Sequence, residues 1–187
     1  MNRFFPEIKK NFGFGMMRLP MIGEEVDVEM VKAMTDAFLA AGFNYFDTAH
    51  PYIKGKSELA LREALTSRYP RDRYIIANKL SGSCIKSEDD LVPFFENQLK
   101  SCGVDYFDFY LVHAVSEKQN VIFENANAYA FVRQLKAQGK IRHVGMSFHD
   151  SAEVLDKILT DRPELEFVQL QFNYLDYNDP KVQSRLC

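Results

Sequence analysis

The sequence predicts an α/β protein built on a parallel sheet, and three observations carry that prediction. Strand-like and helix-like segments alternate along the chain, the pattern of successive βα units. The strand-like segments are near-continuously apolar, as parallel strands covered on both faces should be. Several of them also end on a polar, reactive residue, and strand ends are where parallel barrels carry their chemistry.

Taken in order, Asn11–Arg18 (NFGFGMMR) reads as a short strand with glycines at points of close approach. Val28–Ala41 has apolar residues at helical spacing, and Gly42 stands where a helix-ending glycine belongs. Phe43–Phe46 is a short strand, and Ser57–Leu65 a helix with Ser57 as its expected N-cap. A buried strand follows at Tyr74–Ala77. Ser87-Glu-Asp-Asp90 reads as a capping box opening a helix that ends near Cys102, before Gly103. Phe107–Val112 is a strand, Ile122–Gln138 a helix closed by Gly139, and Ile141–Met146 a strand. Asp150-Ser-Ala-Glu153 caps a helix running to about Thr160, and Phe167–Phe172 is the last strand.

Composition removes several classes of function. With 187 residues, 47% of them hydrophobic, and 16 Phe and 9 Tyr, the chain is expected to form one packed domain over residues 1–187. The 23 basic and 26 acidic residues are interspersed and sum to −3, which argues against nucleic-acid partners and a basic membrane patch. Its apolar runs, such as Phe109–Val112, are far below the ~18 residues of a membrane span. Residues 1–10 hold no continuous apolar stretch of signal-peptide length. Cys84, Cys102 and Cys187 are odd in number and lack metal-ligand spacing, so a reduced, cytoplasmic protein without a metal is expected.

Two parallel architectures compete, the open doubly wound sheet and the (β/α)8 barrel. The open dinucleotide-binding sheet wants G-x-G-x-x-G after its first strand; Gly13-Phe-Gly15 is followed by Met-Met-Arg, with no third glycine. The strand ends favour the barrel, where they would converge on one face. They present Asp47, Lys79, His113, Ser147 and the glutamines Gln169 and Gln171. Singly, each has a bland reading. Asp47 serves as a turn cap, Lys79 as a snorkelling lysine, His113 as a satisfied core histidine, and Tyr52 as a loop aromatic. Jointly the weighting reverses. A buried ammonium at a strand end needs a counter-charge, and Asp47 on a neighbouring strand is the natural partner for Lys79.

These residues resemble the aldo-keto reductase family. The matching pieces are GFGMMRLP, NYFDTAHPYIKGKSE, YIIANK, DYFDFYLVHAV, GKIRHVGMSFHD and FVQLQFNYLD, in family order from about residue 11 to 180. GFGMMRLP and GMSFHD look most like a bacterial subgroup whose members often carry a C-terminal iron–sulfur domain, although no cysteine-rich segment is present here. The resemblance implies a (β/α)8 TIM-type barrel, incomplete here at about six of eight βα units. It implies a catalytic tetrad of Asp47, Tyr52, Lys79 and His113. It also implies a nicotinamide cofactor, NADP(H) with NAD(H) as the alternative, near Met16, Met17, Asp47, Ser147 and Gln169. Many members have Asn directly after the serine; this chain has Phe148-His149, leaving Asn173 and His149 as alternatives for that contact.

The implied reaction is reduction of an aldehyde or ketone, with a small-molecule carbonyl as the partner. Tyrosine, with an ordinary pKa of ~10, holds a proton at neutral pH and can donate it, while a nearby ammonium stabilises the tyrosinate left behind. Rival readings are a nucleotide-binding or regulatory protein on the same fold, an inactive fragment, and an unrelated barrel isomerase. A full barrel of this kind takes ~250 residues. The reading therefore expects strands seven and eight and the C-terminal segment to lie outside this chain. It also expects His50, His143, Cys84 and Cys102 to be loop or helix features, and Arg71-Asp-Arg73 to be a solvated turn.

Overall fold

A computed structural model of the chain describes residues 4–174, 177 and 178. Among these, in chain order, the strands are β1 (Gly13–Gly15), β2 (Met21–Ile22), β3 (Glu25–Val26), β4 (Tyr45–Asp47), β5 (Ile75–Ser81), β6 (Phe107–Val115), β7 (Ile141–Phe148) and β8 (Phe167–Leu170). The helices are α1 (Val28–Ala40), α2 (Lys56–Leu61), α3 (Leu91–Cys102), α4 (Glu117–Asn125), α5 (Ala128–Ala137) and α6 (Ala152–Asp161). Six strands form one parallel sheet in the order β1-β4-β5-β6-β7-β8, as in an incomplete (β/α)8 fold. The sequential order, with a helical crossover after nearly every strand, is what repeated βα units produce. β2 and β3 form a separate antiparallel hairpin that alternation of apolar residues did not announce, because it is two residues deep and largely exposed. No described helix is long and apolar enough to cross a membrane.

The chain divides into two compact units. One comprises residues up to Lys79 with Phe95–Phe109, and the other Leu80–Phe94 with residues from Tyr110 on. In the first unit, Asp27 starts α1 by accepting a hydrogen bond from the Met30 N–H, and Gly42 ends it with φ +83°. The buried face of α1 is anchored by Phe38, whose ring meets Phe14, Phe43 and Phe46 at centroid distances of 5.5, 5.0 and 5.2 Å. The β1–β4 and β4–β5 registers pair Gly15 with Asp47 and Asp47 with Ala77. Asp47 therefore sits on the face that β5 continues with Lys79 and Ser81, while Phe46 and Asn78 point to the other.

In the second unit, Ser116 and Ser151 cap α4 and α6 through the N–H groups of Gln119 and Val154. The β7–β8 register pairs Gly145 with Phe167 and Ser147 with Gln169. A Cβ at Gly145 would lie 2.5 Å from the Phe167 ring, so a larger residue there requires that ring to move.

Several sequence expectations are corrected. Ser57 does not cap α2; it lies inside the helix, fully buried, and Gly55 with φ +88° starts it. The helix expected over Ile122–Gln138 is two, because Asn127 turns left-handed at φ 55° between α4 and α5. β5 and β6 run two residues past Lys79 and His113, so these side chains lie within strand ends rather than terminating them. β8 stops at Leu170 rather than Phe172. His143 lies on β7 rather than on a loop or helix. Arg71 is not simply solvated. Its guanidinium packs 4.0 Å from the Tyr106 ring centroid and pairs with the buried Asp108 at 2.6 Å. Cys187 lies outside the described residues.

Candidate active site

In the first unit, the end of β4 and the loop after it bring three of the expected residues together. Lys79 is 1% exposed, and its Nζ donates to Asp47 Oδ1 at 2.5 Å and to the Thr48 carbonyl at 2.8 Å. The same ammonium lies 4.8 Å from the centroid of the Tyr52 ring. The counter-charge that burial of Lys79 demands is therefore the carboxylate on the adjacent strand.

Local backbone geometry holds Tyr52 over this pair. The turn that starts at Tyr52 continues through Ile53, Lys54 and Gly55 at φ values of 51°, 54° and 88°. A β-branched residue at positive φ is uncommon and is strained by about 1–3 kcal/mol. The turn is held at both ends. The Tyr52 N–H donates to the Ala49 carbonyl at 3.0 Å. At the other end, the Ser57 hydroxyl donates to the Met16 carbonyl at 2.9 Å. That hydroxyl also meets the Thr48 hydroxyl at 2.7 Å; its proton is committed to Met16, so Thr48 is the donor. Met16 is buried and ties its N–H to the Asp47 carbonyl, whereas Met17 is half exposed.

In the second unit, His113 Nδ1 meets the Ser81 hydroxyl at 2.6 Å, which fixes the plane of the imidazole. Directly after it, Ala114 turns left-handed at φ 56°, and its N–H donates to Ser147 Oγ at 2.7 Å. Ser147 is buried and paired in register with the exposed Gln169. A hydroxyl and a primary amide side by side offer both donors and acceptors, the set that a carboxamide requires. Beyond Ser147, His149 anchors its N–H on the Val115 carbonyl at 2.8 Å, and burial holds its imidazole pKa below the ordinary value.

Sequence reasoning missed the polar layer behind these residues. Glu58 is fully buried; its Oε1 accepts from Asn78 and Gln98 at 2.9 and 3.1 Å, and its Oε2 meets His50 Nδ1 at 2.8 Å. The signal was present. Glu58, Leu61 and Leu65 share one helical stripe, and a carboxylate on an apolar stripe is an anomaly. Ser81 was also legible, standing two residues after Lys79 on the same strand face.

The aldo/keto reductase family pattern matches residues 11–187. The chain belongs to this family. It is 29% identical over 142 residues to an aldo-keto reductase of Mycolicibacterium smegmatis, covering 76% of this chain and 50% of that protein. It is 27% identical over 153 residues to the NADH-specific methylglyoxal reductase of Escherichia coli, covering 72% and 45%. Among solved structures, the holo form of an aldo-keto reductase from Bacillus halodurans matches with a TM-score of 0.70 and 25% identity, over 88% of this chain and 54% of that one. The chain thus spans about half the length of these aldo-keto reductases.

Proposed function

We propose that this aldo/keto reductase chain serves an NAD(P)H-dependent oxidoreductase that reduces aldehyde or ketone carbonyls to alcohols, with Tyr52 as proton donor. The observation that carries the reading is the buried Lys79 ammonium, clamped by Asp47 and the Thr48 carbonyl, against the Tyr52 ring.

The nicotinamide, when bound, supplies the hydride that adds to the carbonyl carbon. The chain's own residues handle position and the proton. Tyr52 Oη gives its proton to the carbonyl oxygen as negative charge develops there, and the Lys79 ammonium stabilises the phenolate left behind. Asp47 holds that ammonium in place. His113, its ring plane set by Ser81, orients the carbonyl oxygen. Ser147 and Gln169 would hold the cofactor's carboxamide, and the resemblance also assigns Met16 and Met17 to the cofactor. The nucleotide in this reading is NADP(H), with NAD(H) as the alternative that the E. coli relative's name supports.

The test is steady-state turnover of NADPH and NADH with a panel of aldehydes, ketones and quinones, beside Tyr52→Phe. The variant should lose about a hundredfold or more in kcat while cofactor affinity stays within about threefold. Undiminished turnover in Tyr52→Phe overturns the assignment. Nucleotide binding without turnover in the parent chain supports the non-catalytic rival.

A further inference from the structure

Lys79 and Tyr52 are held from behind by a hydrogen-bonded layer on the opposite face of the sheet. Its centre is Glu58, fully buried on α2. Oε1 accepts from Asn78, the residue before Lys79, and from Gln98 of α3. The Gln98 amide reaches the Lys79 carbonyl itself at 3.0 Å and Asn78 Oδ1 at 3.1 Å. Asn78 Oδ1 in turn accepts from the Lys79 N–H at 2.8 Å. Both backbone polar groups of Lys79 are thereby engaged by this layer. Oε2 meets His50, on the same loop as Thr48 and Tyr52.

We propose that Glu58 and Gln98 are positioning residues for the Lys79–Tyr52 pair, linking the strand that carries the ammonium to the loop that carries the phenol. This rests on the catalytic reading of Tyr52 and Lys79 given above. Three features argue for positioning rather than simple packing. First, an apolar side chain at 58 would continue the Leu61–Leu65 stripe without the several kcal/mol that burying a carboxylate costs. Second, the layer reaches both backbone polar groups of Lys79, the N–H through Asn78 Oδ1 and the carbonyl through Gln98. Third, the Tyr52 turn is strained at Ile53 and Lys54, and a strained turn keeps its shape only where its surroundings over-determine it. The contact through His50 supplies part of that determination.

The test uses three variants. Glu58→Gln keeps shape and an acceptor for both amides. Glu58→Ala removes the centre of the layer. Gln98→Met keeps volume but cannot donate to Lys79. Two readouts are taken: kcat and KM with NADPH and benzaldehyde, and the 13C-Cζ resonance of Tyr52 in labelled protein without cofactor. Glu58→Ala and Gln98→Met should each lower kcat about tenfold to a hundredfold, with KM within about threefold, and should displace the Tyr52 resonance. Glu58→Gln should restore both readouts to near the parent values. If Glu58→Ala does not fold, Gln98→Met against Glu58→Gln carries the comparison. A parent chain that does not turn over overturns the catalytic reading alone, because the Tyr52 resonance still reports positioning. An unmoved Tyr52 resonance in folded Gln98→Met overturns the positioning role.

Discussion

At the scale of single residues, the proposed chemistry turns on one buried cation. Lys79 has little contact with solvent, and the Asp47 carboxylate lies 2.5 Å from its ammonium. Removing one member of a buried pair strands the other, at about 3–5 kcal/mol. Asp47→Ala should therefore lower stability by about that amount in urea unfolding. Lys79→Met, which removes the cation and leaves the partly exposed carboxylate, should cost distinctly less. Both should abolish carbonyl reduction. Equal stability losses in the two variants would contradict this account of the pair. The residues themselves were readable in advance. Asp47, Lys79, His113 and Ser147 stood out because a polar residue closing an apolar strand is conspicuous. Glu58 was signalled only by its place on the apolar Leu61–Leu65 stripe, whereas its partners Asn78 and Gln98 depend on which faces of the sheet and of α3 meet it.

At the scale of elements, most helices and strands follow from local signals. Ser151, within the expected Asp150–Glu153 cap, accepts from the Val154 N–H, and Ser87 with Asp90 forms the expected capping box, whereas Asp27 and Ser116 cap α1 and α4 without having been singled out in the sequence. The failures are also local in origin. Residues 53 and 54 take positive φ without being glycine, so no rule of turn chemistry flags them. Asn127 splits one helical pattern into two because it tolerates the left-handed region, while the apolar periodicity runs on through the break. A sharper element-scale expectation concerns β7 and β8. Gly145→Ala drives a methyl into the Phe167 ring, so it should destabilise the chain by about 1–3 kcal/mol. Adding Phe167→Leu should recover part of that loss in a double-mutant cycle. Additive losses would show that the ring and the glycine are not coupled.

At the scale of the molecule, one acidic residue ties several elements of the second unit and sets a pH dependence. Glu166 meets Lys136 of α5 at 2.7 Å, the Val144 N–H of β7 at 2.8 Å and His143 at 3.2 Å. Burial pushes its carboxyl upward, but the hydrogen bonds from Lys136, Val144 and His143 prevail and hold it below the ordinary value of 4.5. A carboxyl depressed on folding contributes stability that is present above its unfolded value and is lost as pH falls through its folded one. The stability gap between the parent and Glu166→Gln should therefore narrow as pH drops from neutral to about 3, read as urea midpoints. A gap that widens in acid would reverse the sign and refute the linkage.

The sequence by itself determined the parallel α/β class, because the period of apolar positions and the polar residues that close apolar strands are signals that act over a few residues. Its resemblance to the family pointed to Asp47, Tyr52, Lys79 and His113. Tertiary structure alone decided that Lys79 is clamped by Asp47 and a backbone carbonyl beneath Tyr52, and that Glu58 is buried behind them. Strand register and helix facing set those relations, because they bring together side chains far apart in the chain, and no local propensity encodes them.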